Sequence, residues 1–180
     1  MSNTQLSIPK VLHEFHGKQT SILDLIATYL AACIAGSIIC FFMPKDFVLW
    51  KQIMLVLLAL DIGGGVVANF TEGTNRYHKN HPTLRLFFIA PLHLVHPAIL
   101  VMLFRGQTGP IVINTALIIA CTYLVNAIST YKLQKTVAPL LLLLALAINI
   151  ISQISDPIIS FLLFLFAVKL ILAYAVRWKP

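Results

Sequence analysis

Six long apolar segments, separated by short polar breaks, set the strongest limit on what this chain can fold into. A membrane-spanning helix needs about 20 mostly apolar residues. Segments that meet this requirement lie at 22–43, 48–70, 84–104, 109–131, 137–155 and 157–176. The runs are continuous rather than alternating, and lipid would leave an open sheet edge unpaired, so we exclude spanning strands. The sequence predicts an all-α integral membrane protein, a single bundle of about six transmembrane helices.

The composition agrees with a bilayer as the main partner of the chain. Hydrophobic residues make up 59% of the sequence and charged residues 11%, with a mean hydropathy of +0.90. Soluble domains carry about 25% charged residues. The net charge of +7 would suit nucleic acid in a polar chain, but in such an apolar one it indicates the basic collar of a membrane protein. We therefore expect no nucleic-acid partner.

The basic residues predict the orientation. With the amino terminus inside, ten of the 13 Lys and Arg residues lie on the cytoplasmic side, and only Lys45, Lys51 and Arg105 lie outside. This asymmetry follows the positive-inside rule. Six spans return the chain to its starting side, so both termini are predicted to be cytoplasmic. The domains are then an amino-terminal segment at 1–21, the transmembrane domain at 22–176 and a tail at 177–180.

The amino-terminal segment is predicted to hold one short helix. Ser7 can cap it, Pro9 suits its first turn and Gly17 can end it. Apolar residues of this helix would rest on the bilayer surface, which makes it an interfacial helix. These residues are Val11, Leu12 and Phe15.

Ionisable residues inside the predicted spans are the strongest functional signal, because a charge is costly in lipid. Asp61 in the second span and His93 in the third are each nine residues from the inner end, or about 13 Å deep. The two spans are antiparallel neighbours, so we expect the Asp61 side chain to meet His93 and His96. Lys169, in the last span, is expected to extend toward the inner interface, with an ion pair to Asp61 as the alternative.

Helix-weakening residues flank these polar groups. Gly63, Gly64 and Gly65 follow Asp61, while Pro91 and Pro97 bracket the histidines of the third span. They indicate either close helix packing or an opened backbone that lines a cavity. The sequence does not choose between the two.

The histidines suggest a metal site. All six fall into three pairs with H-x-x-H spacing, namely His13/His16, His78/His81 and His93/His96. Residues three apart share a helix face, so both rings of a pair can reach one ion. With Asp61 as a carboxylate ligand, His78, His81, His93 and His96 would suit Zn or non-haem Fe. Depth predicts two separate zones, a surface zone of four histidines and a buried zone around Asp61.

A polar segment at the predicted inner interface is a candidate for binding a substrate or a lipid head group. Its candidate residues are Asn69, Thr71, Arg76 and Tyr77. Nearby basic residues would favour an anionic group. The alternative is an ordinary capped and solvated turn.

Three functions remain open. The leading hypothesis is a metal-dependent membrane enzyme that acts on a lipid-like substrate, with Asp61, His93 and His96 as catalytic residues. A proton or cation transporter could use the same residues. Because six short helices leave little room for a pathway, that alternative calls for a homo-oligomer. The third hypothesis is a structural or assembly subunit of a membrane complex.

Overall fold

The computed structural model describes residues 5–80 and 90–178 of the protein, and most of these residues are helical. The elements, in chain order, are β1 (Gln5–Ser7), a 3₁₀ turn (Lys10–Leu12), α1 (His13–His16), β2 (Gln19–Ser21), α2 (Ile22–Phe42), α3 (Leu49–Ala68), α4 (Glu72–Lys79), α5 (Ala90–Leu92), α6 (Val95–Leu103), a 3₁₀ turn (Arg105–Gln107), α7 (Thr108–Ala127), α8 (Tyr131–Ile151) and α9 (Pro157–Ala167), which continues as a π-helix (Val168–Tyr174).

Five helical segments of the described chain are long and apolar enough to cross a membrane. They are α2, α3, α7 with its preceding turn, α8, and α9 with its π-helix. This arrangement is consistent with a multi-pass α-helical membrane protein.

The predicted third span differs from the other five. Its described part is a three-residue helix, α5, and a nine-residue helix, α6, separated by a turn at His93 and Leu94. Nine residues extend only about 14 Å, less than half the hydrocarbon thickness of about 30 Å. Pro91 and Pro97, which lack the amide hydrogen that a helix needs, flank the turn. The prediction of a continuous helix over 84–104 is therefore wrong in its described part, and residues 81–89 lie outside the description.

The glycines of α3 pack against α2. A Cβ added to Gly63 would lie 2.4 Å from the Cβ of Ala35, and one added to Gly64 would lie 3.2 Å from that of Ala32. The α3 helix continues unbroken through these residues. Close packing is thus the correct interpretation of the glycines, because small side chains let two membrane helices approach. The opened backbone lies instead in the proline-flanked turn between α5 and α6.

The last helix is the centre of the bundle. Its side chains pack against α3, α7 and α8, and many are almost fully buried. Beyond its end, the Trp178 ring packs 5.1 Å from the ring of Phe70, which follows α3. The amino-terminal segment docks on α4 at that same end. Both described termini therefore share what we call the amino-terminal end of the bundle, and its cytoplasmic location stays a prediction.

The amino-terminal segment contains a small hairpin in addition to the predicted helix. Strands β1 and β2 pair antiparallel, with Gln5 opposite Ser21, and the 3₁₀ turn and α1 lie between them. Ser7 lies in β1 and caps no helix, which corrects the predicted start. Gly17 ends α1 as predicted, with a φ of +73° that side chains rarely adopt. The bilayer contact predicted for Val11, Leu12 and Phe15, which are exposed, remains a prediction.

A close backbone contact holds this segment on α4. A Cβ on Gly73 would lie 2.4 Å from the carbonyl oxygen of Gln19 and 2.5 Å from that of His16. The hydroxyl of Thr74 also donates a hydrogen bond to the carbonyl oxygen of Phe15, at 2.7 Å. Only a glycine at position 73 lets the two backbones meet this closely.

Candidate functional site

Asp61 is the centre of a buried charged cluster. The Nζ of Lys169 donates a hydrogen bond to Oδ2 of Asp61 at 2.7 Å, and Nε2 of His96 bonds to the same oxygen. Lys169 is 4% exposed and does not extend to the interface, which corrects the first expectation for it and confirms the alternative. A buried membrane charge favours an opposite partner, since lipid solvates neither.

Gly65 makes room for this ion pair. A Cβ at this position would lie 2.4 Å from Cε of Lys169 and 2.8 Å from its Nζ. The lysine side chain therefore lies against the α3 backbone at Gly65, and a larger residue there would require this side chain to shift. Gly65 leaves room for the charged cluster, whereas Gly63 and Gly64 allow α3 to pack closely against α2.

Both ring nitrogens of His96 have hydrogen-bond partners. Nε2 faces Asp61, and Nδ1 lies 3.0 Å from the carbonyl oxygen of His93. The ring is therefore fixed between a side chain and a backbone carbonyl, and it shares Oδ2 of Asp61 with Lys169. The predicted meeting of Asp61 with the histidines of the third segment is formed through His96.

Aromatic and histidine rings continue from His96 toward the amino-terminal end. The His93 ring stacks on that of His96 with centroids 5.6 Å apart, and the Tyr174 ring lies 5.3 Å from His93. His78 follows at 5.8 Å from Tyr174, and Tyr77 lies 5.7 Å from His78. His78 is thus buried next to the central cluster, not in a separate surface zone as predicted.

The π-helix places Lys169 and Tyr174 on one side of the last helix. In a π-helix the hydrogen bonds join residues five apart, so such residues lie nearly above one another. Here the amide of Ala175 bonds to the carbonyl of Leu170 in this way. As a result, both Lys169 and Tyr174 line the same cavity.

This cavity, which we call the site cavity, has a volume of about 280 Å³. Its apolar walls include Phe15 and Leu92. The polar and charged residues that line it are Glu14, Asp61, Asn69, His78, His93, His96, Lys169 and Tyr174. Asp61, with 36% of its side chain exposed, is more open than Lys169 at 5% or His96 at 16%. The carboxylate is therefore the most accessible of these three groups to a molecule in the cavity.

The polar lining lies on one side of Asp61. Toward the opposite end of the bundle, the described core residues on α3, α6 and α9 are aliphatic and 0–5% exposed. These are Leu55, Leu58, Leu100, Leu103, Leu162 and Leu163. The site cavity is consequently one-sided within the described part of the chain.

The four residues predicted to bind a head group do not form one site. Thr71 caps α4 by accepting a hydrogen bond from the amide of Thr74. Arg76 pairs with Glu72 at 2.8 Å on the surface. Tyr77 donates a hydrogen bond to Glu14 at 2.9 Å, which raises the pKa of Tyr77. Asn69 alone of the four lines the site cavity, so the capped-turn interpretation describes Thr71 and Arg76 better.

A metal site is not supported by the described residues. No three His, Cys, Asp or Glu side chains converge there as a ligand set. Oδ2 of Asp61 binds the ammonium of Lys169 where a ligand set would need only electron-pair donors. The first histidine pair diverges, because His13 contacts the carbonyl of Ile8 and His16 the hydroxyl of Tyr29. His81, the remaining predicted ligand, lies outside the described residues.

Three residues that line the site cavity were not predicted from the sequence to do so, namely Lys169, Glu14 and Tyr174. Lys169 carried a usable signal, since a second intramembrane charge predicts a partner of opposite sign. Nothing in the local pattern marks Glu14 or Tyr174 as a residue of this cavity. Glu14 reaches the cavity because the amino-terminal segment docks beside it, and Tyr174 because the last helix becomes a π-helix. Sequence periodicity reveals neither feature.

Comparison with protein-family models, curated proteins and solved structures finds no match to this chain. The site must be interpreted from its own chemistry.

Proposed function

We propose that this protein is a membrane-embedded enzyme that acts on the polar group of a lipid-like substrate by acid–base chemistry at Asp61 and His96. The observation that carries the proposal is that Asp61 opens to the cavity while Lys169 and His96 hold its Oδ2. This arrangement leaves the second oxygen, Oδ1, as the atom that a substrate would contact.

The roles of the residues follow from their contacts. Asp61 accepts a proton or a hydrogen bond from the substrate through Oδ1. His96, hydrogen-bonded to Oδ2 through Nε2, takes up that proton from Asp61 and returns it, and Lys169 holds the carboxylate in position. His93, stacked on His96, fixes the ring plane and supplies the carbonyl that bonds to Nδ1. The proposal is independent of a metal ion.

The one-sided cavity supports an enzyme over a continuous transport pathway. The aliphatic layer around Leu58 and Leu100 separates Asp61 from the opposite end of the bundle. The excess of Lys and Arg on the predicted inner side supports a cavity that opens toward the cytoplasm.

The second candidate, a proton-coupled transporter, is favoured by the run of rings from His96 through His93 and Tyr174 to His78. Histidine exchanges protons near neutral pH, so such a run suits proton movement. A transporter would also need a route through the aliphatic layer, which a rearrangement or a homo-oligomer would have to supply.

The test compares His96→Gln with the wild-type protein in liposomes made from a total polar lipid extract. Glutamine can still donate to Asp61 but cannot transfer a proton, and the ion pair with Lys169 stays intact. We expect the wild-type protein to change the lipid composition measured by mass spectrometry, and the variant to lose that activity. His13→Gln, in the amino-terminal segment, is the matched control and should keep it.

Two outcomes would contradict the enzyme proposal. The first is a lipid composition that stays the same with wild-type protein. The second is equal conversion by the wild-type protein and His96→Gln. A pH-sensitive dye inside the same liposomes tests the second candidate, which requires proton flux that disappears in His96→Gln.

A further inference from the structure

A second cavity adjoins the site cavity on the outer face of α2 and α3. This groove, which we call the lateral groove, has a volume of about 320 Å³. It shares Phe15, Asp61, Gly65 and Ala68 with the site cavity as common walls. Phe15 and Ala68 are the apolar walls that the two spaces have in common.

The lateral groove faces the region where lipid would be. Its walls on α2 include Tyr29 and Cys33, both exposed on a predicted membrane span. Thr28 also lines it, and the buried hydroxyl of this residue, which is 5% exposed, has no hydrogen-bond partner among the described residues. The groove is therefore an apolar channel with one unsatisfied polar atom beside the charged cluster.

The charges that a ligand would meet are carboxylates. Asp61 is the most open member of the charged cluster, and the side chains of its partners Lys169 and His96 are less exposed. Glu14 lines the site cavity as well, and its Oε2 is a buried oxygen without a hydrogen-bond partner among the described residues. An unsatisfied buried acceptor costs about 1–3 kcal/mol, so a donor placed there is favoured.

We propose that the two spaces together bind a single-chain amphiphile whose head donates hydrogen bonds and carries no negative charge, such as a primary amine or an alcohol. The head lies in the site cavity between Glu14 and Asp61, and the chain passes beside Phe15 and Ala68 into the lateral groove. A carboxylate or phosphate head is rejected, because it would face two carboxylates. This inference rests on the proposed function for the identity of the site.

The natural cysteines provide the test. Cys33 lines the lateral groove, and Cys40 is exposed on the same helix outside it. The rate of alkylation of each cysteine by N-ethylmaleimide is measured by peptide mass spectrometry on the detergent-purified protein. The probes are dodecylamine, dodecanol, dodecyltrimethylammonium and dodecanoate, which share a chain and differ in the head.

We expect dodecylamine and dodecanol to slow alkylation of Cys33 about tenfold at ten times their Kd, since only about a tenth of the sites then stay open. Dodecanoate and the quaternary ammonium, which donate no hydrogen bond, should leave it unchanged. Alkylation of Cys40 should be unaffected by all four. Glu14→Gln should weaken protection of Cys33 by dodecylamine, while Cys40→Trp, a change outside the lateral groove, should leave that protection unchanged.

Protection of Cys33 by dodecanoate equal to that by dodecylamine would overturn the inference, as would equal protection of Cys33 and Cys40. Equal protection by the quaternary ammonium would overturn the requirement for a hydrogen-bond donor. The two proposals fail separately. Lipid conversion without protection of Cys33 rejects the ligand assignment alone, whereas protection without conversion rejects the enzyme and leaves the binding site.

Discussion

The two ends of the bundle use polar groups in different ways. At the amino-terminal end, an ion pair and a set of rings surround a cavity. At the opposite end, the polar contacts join neutral side chains. Asn114 donates to Ser152 at 3.0 Å, and Ser160 donates to Asn149 at 3.2 Å.

The difference separates polar groups that hold helices together from those that form a site. Neutral hydrogen bonds between membrane helices contribute about 0.6 kcal/mol each on average, and losing one leaves no charge behind. An ion pair in the membrane is costly to keep and more costly to break. Within the described chain, an ion pair between helices is found only at the amino-terminal end, which is also the end that contains the site cavity.

The largest expected effect is that of Lys169→Met, which leaves the Asp61 carboxylate without its ammonium partner. Breaking a buried pair costs about 3–5 kcal/mol. We expect a large loss of stability in a denaturant titration of the purified protein. Asn114→Ala is the matched change at the opposite end, with a loss of about 0.6 kcal/mol.

The double variant Asp61→Asn/Lys169→Met sharpens this comparison. Because it removes both charges, it should recover much of the stability that Lys169→Met loses. It should not recover lipid conversion. Equal losses from Lys169→Met and Asn114→Ala would show that the two ends do not differ in this way. The same contact indicates that Asp61→Asn alone also destabilises the protein, because it leaves the ammonium of Lys169 without its carboxylate.

An intermediate effect is expected for Gly73→Ala. Its Cβ would lie within 2.5 Å of the carbonyl oxygens of Gln19 and His16, which belong to the backbone and cannot turn away. Overpacking of this kind costs about 1–3 kcal/mol. Hydrogen exchange should show lower protection of the docked amino-terminal segment.

Gly109→Ala is the control for this change, since a Cβ there meets no atom within 4 Å. Protection of the amino-terminal segment should be unchanged in that variant. Unchanged protection in Gly73→Ala as well would contradict the close contact between the segment and α4.

The smallest effect concerns pH. Burial lowers the pKa of His16 below its usual value of about 6.5. The docked segment therefore prefers the neutral ring. Its stability is fully present above about pH 6.5 and decreases as the pH falls from there through the lower pKa of the docked state. Hydrogen exchange of 5–21, corrected for intrinsic rates, should show this loss on acidification.

His16→Phe should remove the pH dependence, because it keeps an apolar ring and has no proton to gain. Peptides of α7 should show no change between pH 7.5 and pH 5.5 in either protein. A pH dependence that persists in the variant would assign it to another group.

Much of the fold was predictable because lipid imposes simple rules on a chain. Runs of about 20 apolar residues identified all five long helices. The bounds of α8 were the least accurate, because this helix begins at Tyr131 rather than 137 and ends at Ile151 rather than 155. The third segment was misjudged because its composition suits a span while Pro91 and Pro97 interrupt its backbone. The small hairpin was missed because three-residue strands have too little periodicity to detect.

The site was predictable only in part. The cost of burying charge in lipid is enough to mark Asp61, His93 and His96 as important from their positions in the apolar segments. Lys169 was assigned to the interface first because a lysine near a helix end usually extends there. The metal hypothesis relied on H-x-x-H spacing, which shows that two rings share a face but not where their nitrogens point.

The amino-acid sequence determined that this chain forms long apolar helices, as a multi-pass membrane protein does, and which of its charges lie within apolar segments, because both follow from local composition. The tertiary structure decided which charges meet, that Glu14 and Tyr174 join them, and that the cavity opens on one side. Those features depend on contacts between segments up to 108 residues apart, such as Asp61 with Lys169. They also depend on a π-helical shift, so no local pattern encodes them.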